Sequence, residues 1–369
     1  MKIPLFPKVS GYSYLLIFLT FFFISFQNIA AQDSTDVKNL DKKVKFSVLP
    51  VIYYTPETKL ALGAGSSLAF KLPESNEISS LQIGAVYTFR KQLLSYLPFN
   101  LFFKNDKRLK GEFGYYDFIY EYYGIGDIPG NQSFYTAAFP RFQVLGLKSF
   151  KKDIFWGASW FYNDYRFYDI DKSEQSSFDE TTFGLDGGRV SSVGPTFLID
   201  KRDGVYWTKK GYYLELGFRF SGGATGSEYE FVRQSIDYRR FIPVGEKLIL
   251  GFQFFENSIW GDVPFFEYPI LGGSKLLRGY YQGYLRDNLF VMAQTEFRGP
   301  LIWKFSYAIF AGIGTVSPNF GDLTQQRYWP SYGAGIRFPL VKEAGINLRL
   351  DYAFGRDVSG LYLTFGESF

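Results

Sequence analysis

The chain has 369 residues, a formal charge of +4, and neither a cysteine nor a histidine. Without histidine, no Ser-His-Asp or Cys-His catalytic unit and no histidine-ligated metal site can be built; without cysteine there is no disulfide. Aromatic and charged residues each make up 21% of the chain, whereas a disordered chain lacks the first and a helical membrane protein lacks the second.

The N-terminus reads as a secretory signal. Lys2 and Lys8 give a basic start, and "LLIFLTFFFISF" (Leu15 to Phe26) gives an apolar core too short to span a bilayer comfortably. Small residues in "NIAAQ" place cleavage after Ala31. The alternative is a retained anchor, since no charge falls between Lys8 and Asp33. Residues 32–45 then form a short periplasmic segment and residues 46–369 a barrel domain. With Lys2 and Lys8 removed the chain is close to neutral. Its basic pairs, Lys42-Lys43 and Lys209-Lys210, stand alone, so no nucleic acid partner is expected.

Beyond the signal, apolar residues recur with period 2. In "RLKGEFGYY", Lys110 and Glu112 take the polar face. In "GYYLELGFRFS", Tyr212, Leu214, Leu216, Phe218 and Phe220 oppose Tyr213, Glu215, Gly217, Arg219 and Ser221. In "INLRLDYAFG", Ile346, Leu348, Leu350, Tyr352 and Phe354 oppose Asn347, Arg349, Asp351, Ala353 and Gly355. Such alternation marks half-buried strands. Sixteen are predicted, near 46–54, 60–71, 78–90, 92–103, 107–118, 134–148, 152–169, 189–200, 210–221, 228–241, 246–257, 288–299, 302–313, 328–340, 345–354 and 360–368. Most run ten residues or more, the length a tilted strand needs to cross a bilayer. The fold class is therefore all-β, a transmembrane antiparallel barrel.

The connections agree. From a periplasmic start, the even connections fall at "PESNE", "KNDK", "SFKK", "IPVGE", "GPL" and "LVKEA", all short, while 119–133, 169–188, 258–287 and 314–327 are long and odd. Short turns on one side and long loops on the other fit an outer-membrane barrel rather than a soluble β-sandwich. The eighth connection, 201–209, is longer than that rule allows. The chain closes on "GLYLTFGESF", an alternating strand with a terminal Phe369.

Within the eleventh connection stands "LGGSKLLRGYYQGYL", and after it the strand "NLFVMAQTEFRGPL". Here the chain resembles the BamA/TamA-type barrels of the bacterial surface antigen family. That family carries an Arg-Gly-aromatic motif in a long sixth extracellular loop folded into the lumen, followed by a strand with Glu-aromatic-Arg before a Pro. Leu277-Arg278-Gly279-Tyr280 and Glu296-Phe297-Arg298 with Pro300 match it. By strand parity Gln294, Glu296 and Arg298 face the lumen while Val291, Ala293 and Phe297 face lipid, so Glu296 is available to Arg278. "DKRDGVYWTKKG" resembles the family's Asp-x-Arg-Asp segment through Asp200, Arg202, Asp203 and Gly211, with Thr208 in place of its usual Pro. "LPVIYYTPETKLALG" (Pro50, Pro56, Gly63) and "YYGIGD" (Tyr122 to Asp127) resemble further family segments.

Two departures stand out. The family's Phe-x-Asp on the next strand is Phe310-Ala311-Gly312 here, which leaves Glu296 as the sole expected partner of Arg278. The stretch between Ala31 and the first strand is too short for the periplasmic POTRA domains of the family's assembly factors. Other matches read as structural: Gly124-Ile125-Gly126 is a strand-turn glycine pair, since no βαβ unit surrounds it. Glu215 and Asp351 are lumen charges opposing Arg219 and Arg349 rather than a glycosidase pair, and "FYNDYRFYD" (Phe161 to Asp169) is an interfacial girdle.

The resemblance implies insertion or translocation of protein or lipid at the outer membrane without enzymatic chemistry or cofactor. The alternatives are a passive porin-like channel and a structural subunit of an envelope complex. Expected partners are outer-membrane lipid and lipopolysaccharide, the assembly machinery during biogenesis with Phe369 as its C-terminal signal, and an envelope protein that delivers cargo. The seam between first and last strands is expected to pair weakly, because Pro50 cannot donate to a ladder and Gly360 and Gly366 weaken the closing strand.

Overall fold

The computed structural model describes residues 45–75, 78–341 and 346–369. The signal and nearly all of the predicted periplasmic segment lie outside the described residues. The strands are β1 (Lys45–Thr55), β2 (Lys59–Lys71), β3 (Ile78–Thr88), β4 (Leu93–Phe103), β5 (Lys107–Tyr122), β6 (Ser133–Lys151), β7 (Ile154–Tyr168), β8 (Gly188–Asp200) and β9 (Gly211–Ser221). They continue with β10 (Phe231–Val244), β11 (Leu248–Gly261), the short pair β12 (Ile270–Leu271) and β13 (Leu285–Arg286), β14 (Leu289–Pro300), β15 (Ser306–Ser317), β16 (Trp329–Val341), β17 (Ile346–Phe354) and β18 (Ser359–Phe365). Every strand except β12 and β13 joins one closed antiparallel barrel of sixteen strands, in which β11 pairs directly with β14 and β1 with β18.

The barrel is apolar outside and charged inside, the reverse of a soluble sandwich. Along β17, Leu350 (41% exposed), Tyr352 and Phe354 point outward, while Asn347, Arg349, Asp351 (0%) and Ala353 are buried. The predicted alternation in β9 holds too: Leu216 and Phe220 are exposed and Ser221 is buried. No described helix is long and apolar enough to cross a membrane. Exposed apolar belts on closed strands fit lipid, because closure pairs the backbone groups that hydrocarbon cannot solvate.

The loops obey the predicted parity, with two boundary differences. Residues 301–305, read in part as strand, form a turn closed by the Leu301 N–H donating to the Phe305 carbonyl at 2.9 Å. Its Ile302 and Trp303 are 72% and 69% exposed. Apolar residues at a bilayer's edge satisfy the strand pattern without pairing. The region read as "IPVGE" turns only at Gly245–Lys247, because β10 runs on to Val244.

This topology predicts that a protease-cleavable tag placed after Glu174, in the β7–β8 loop, is cut on intact cells. The same tag after Asn105, in the β4–β5 turn, should be cut only after the outer membrane is opened. The reverse pattern would invert the barrel.

Candidate functional site

The 27 residues between β11 and β14 (Asp262 to Asn288) fold back into the barrel. They are held first by their own ribbon, in which Ile270 faces Arg286 and Leu271 faces Leu285. Leu277 and Gly279 both take positive φ, at 50° and 110°, so the chain between them forms a tight point. At Gly279 only glycine fits. An added Cβ would lie 2.7 Å from the Phe354 carbonyl carbon and 2.8 Å from the Gly355 nitrogen, so the loop's backbone rests directly on the β17–β18 turn.

That point drives Arg278 into the wall with no exposure at all. One terminal nitrogen donates to Glu296 on β14 and the other to Asp351 on β17, each at 2.6 Å. The guanidinium carbon lies 3.4 Å from the centre of the Phe310 ring on β15, so the cation is gripped at its edges by carboxylates and on one face by an aromatic. Glu296 is shared: Arg298 donates to its other oxygen at 2.7 Å and Arg337 approaches that oxygen at 3.4 Å. Arg337 bridges to Asp351 and to Glu367 as well, and Arg349 lies 3.5 Å from Asp351.

Asp351 corrects the expectation that Glu296 stands alone. The structure also shows why position 312 has no room for a carboxylate. Leu277 fills the space above Gly312 and Gly314, where an added Cβ would lie 2.9 and 2.6 Å from its methyls. A carboxylate at position 312 would collide with Leu277, whereas β17, three strands from β14 in the sheet, reaches the guanidinium from the other side. Gln294, Glu296 and Arg298 are buried inward as parity required.

The same loop touches both sides of the seam. Glu57, in the β1–β2 turn, accepts the Gln282 N–H at 2.9 Å, and Tyr362 on β18 accepts the Gly279 N–H at 3.0 Å. Tyr280 packs between, donating to the Pro330 carbonyl at 2.5 Å and accepting the Arg356 N–H at 2.9 Å. Gly360 makes room for the Tyr362 ring, which would lie 2.5–2.8 Å from an added Cβ. β1 and β18 themselves share one register pair, Tyr54 with Leu363. Pro50 faces Ala64 on β2, and Gly366, at φ +74°, ends β18.

Past Gly366 the chain turns inward. Phe369 is buried against Phe241 and Gly251, and its carbonyl oxygen accepts from Arg298 at 3.1 Å. Glu367 takes Arg337 and Asn347. Trp207, from the long eighth connection, packs on the same cluster and lies under the Arg298 guanidinium. That connection is a closed turn: Arg202 grips Asp200 with two bonds of 2.8 Å, Asp203 accepts the N–H groups of Lys209 and Lys210, and Thr208 donates to Gly204. At Gly211 an added Cβ would lie 2.1 Å from the Lys201 carbonyl oxygen. The four residues matched by sequence thus shape the periplasmic end.

At the other end, Arg286 donates to the carbonyls of Phe265 and Glu121 and covers the Tyr122 ring, while Gly126 donates to the Arg286 carbonyl. The expected aromatic girdle at 161–169 is divided. Tyr168 points outward, as does Trp160 just before the stretch, but Phe161 lies under Arg219, and Tyr165 and Phe167 turn inward onto Phe266 of the loop. No group of three or more acidic side chains suited to a metal occurs among the described residues.

A closed sixteen-strand barrel with a lipid-facing apolar surface and an arginine-bound loop in its lumen is an outer-membrane protein. The chain belongs to the Omp85 superfamily, whose domain matches residues 62–369. Its barrel is similar to BamA from Haemophilus ducreyi lacking POTRA domains 1–3, with TM-score 0.59 and 12% identity over 88% of this chain and 70% of that one. It is also similar to CdiB from Acinetobacter baumannii, with TM-score 0.56 and 10% identity over 88% of this chain and 65% of that one, so it spans just under two thirds of CdiB. No curated protein sequence matches it significantly.

Arg278→Ala leaves two buried carboxylates short of a partner, a loss of about 3–5 kcal/mol. Unfolding in denaturant should show this loss. The double mutant with Asp351→Asn should lose clearly less than the sum of the two singles; strict additivity would dissolve the proposed pairing.

A second expectation concerns pH. Burial, with the charge of Asp127 adding to it, pushes the Asp287 carboxyl up from 3.8 to about 6 against the Asn288 N–H that favours its ionised form. A raised carboxyl binds its proton more tightly when folded, so its stabilisation is full below 3.8 and lost as pH rises through 6. Asp287→Asn should therefore melt above the wild type at pH 8, with that advantage shrinking as pH falls to 4. A constant difference would show that Asp287 does not titrate there.

Proposed function

We propose that this barrel inserts or translocates protein or lipid at the outer membrane by mechanical means, through the seam between β1 and β18. One observation carries the reading: among the described residues the seam has a single register pair, whereas the next sparsest junction, β3 with β4, has six. From Val51 down to Lys45, β1 has a partner in β2 and none in β18. Unpaired backbone groups are costly in hydrocarbon, so this edge is where an incoming strand or a lipid headgroup gains most. Membership of the Omp85 superfamily supports insertion or secretion as the broad role. The reading needs no bond-making chemistry, and an envelope protein would bring the cargo.

The loop then acts as a removable staple, since Glu57 and Tyr362 tie the two seam strands to one segment. A passive channel fits the lumen less well, because the loop packs inside it around Leu277 and Tyr280 and Trp207 packs with Phe369 at the other end. Phe369, matched to an assembly signal, is buried here, so the assembly machinery would have to read it before the barrel closes.

The chain has no native cysteine, so Tyr54→Cys with Leu363→Cys can lock the seam cleanly. In liposomes, the protein should speed folding of an unfolded outer-membrane client barrel. Locking should abolish that acceleration, and reduction should restore it. Full acceleration by a demonstrably locked barrel would remove the seam from the mechanism, and a large stable conductance in planar bilayers would favour the channel.

A further inference from the structure

The inner wall opposite the Arg278 network carries a second group of charges. Most arginines of the lumen hold a carboxylate: Arg202 takes Asp200, Arg233 takes Glu267, Arg239 takes Asp237, and Arg278 and Arg337 share two. Lys110 on β5 and Arg219 on β9 have no such partner among the described residues. Arg219 rests on the Phe161 ring, 5.1 Å from its centre. Both side chains line one cavity of about 240 Å³, open on one side and bounded by β5 to β10.

The remaining lining has a consistent character. Arg233 adds a third cation, although Glu267 already holds it. Glu215 is the one acidic group of the lining, and the Tyr213 hydroxyl donates to it. Ser159, Thr196 and Ser235 contribute hydroxyls, and Gly217 leaves room beside the Ser235 hydroxyl, which would lie 2.8 Å from an added Cβ. Cations held in a partly dehydrated recess lack some of the hydrogen-bond acceptors they would have in water. An oxyanion offers several acceptors at once, and its geometry suits the guanidinium fork beside a compact ammonium. The volume admits a small charged group and excludes a polypeptide segment.

We propose that this cavity binds a phosphate-type oxyanion, presented either as free phosphate or as a phosphorylated lipid headgroup. The site is separate from the seam, and its occupancy does not depend on cargo passage. The lining carries three positive charges against one negative, which favours a group with more than one charge. Ser159, Thr196 and Ser235 would complete the shell around oxygens that the two cations orient.

The test uses the full-length protein in two settings. In non-ionic detergent, calorimetric titration with inorganic phosphate should show binding that weakens at least about tenfold in Arg219→Gln and in Lys110→Met. It should tighten in Glu215→Gln, where a competing charge is removed. The exposed control Lys209→Met should not change it. In phosphatidylcholine nanodiscs with and without phosphatidic acid, native mass spectrometry should show retained phosphatidic acid with the same dependence if the headgroup is the source. Heat-modifiable migration on gels confirms that each variant is folded. Dependence on Lys110 and Arg219 with either probe supports the site. Binding indifferent to both substitutions, or no binding of either probe to the folded wild type, overturns it.

Discussion

The rest of the structure depends on one buried cation held between two strands that are not neighbours. Arg278 reaches Glu296 on β14 and Asp351 on β17 with bonds of equal length, 2.6 Å, and with Arg337, which reaches the same two carboxylates, it fixes the span across β14 to β17. Hydrogen bonding along the sheet sets only the distance between adjacent strands. A contact that skips strands sets curvature, and curvature sets how the two ends of the sheet meet. Loop position, wall shape and seam are thereby one problem.

Such an arrangement is poor at raising stability for its own sake. Four guanidiniums, Arg278, Arg298, Arg337 and Arg349, are buried with three carboxylates, Glu296, Asp351 and Glu367, and an apolar core of similar volume could be as stable. What charge supplies is intolerance of alternatives. A loop displaced by one residue would remove Arg278 from both partners and place Gly279 where its backbone no longer fits against Phe354. The network therefore selects one loop position and ties it to the chain's last residues, since Arg298 serves Glu296 and Phe369 together.

Strand count, barrel class and loop parity were legible in the sequence because they follow from local alternation, which residues such as Arg349 and Asp351 display without reference to anything distant. The pairing of Arg278 with Glu296 was legible through a motif. Asp351 was not assigned to Arg278, although its inward direction was clear, because which lumen groups meet depends on the stagger of strands around the barrel. Gly312 hid the reason: its missing side chain reads as a lost carboxylate until Leu277 is seen to occupy the space. Phe161, Tyr165 and Phe167 look like membrane aromatics in a window, and only the infolded loop gives them an inward partner. Ile302 and Trp303 extend a strand pattern ahead of its first pair, at Ser306, because a bilayer edge rewards apolar residues in turns as well as in strands.

A rigid lumen beside a weak seam is not a contradiction. If the wall were soft throughout, the strain of opening would spread over all sixteen junctions and no strand would separate. Because β14 to β17 are cross-braced by charge and by the Phe310 and Tyr280 rings, the proposed opening would concentrate where bracing is least, between β1 and β18. There the direct ladder has shrunk to Tyr54 and Leu363, and the loop supplies the remaining links through Glu57 and Tyr362. Those links are few: the Gln282 N–H to Glu57, and two bonds of the Tyr362 hydroxyl, to the Gly279 N–H and the Tyr280 carbonyl beside Arg278. On the proposed mechanism these few bonds break first, while the bonds of Arg278 to Glu296 and Asp351 hold the wall.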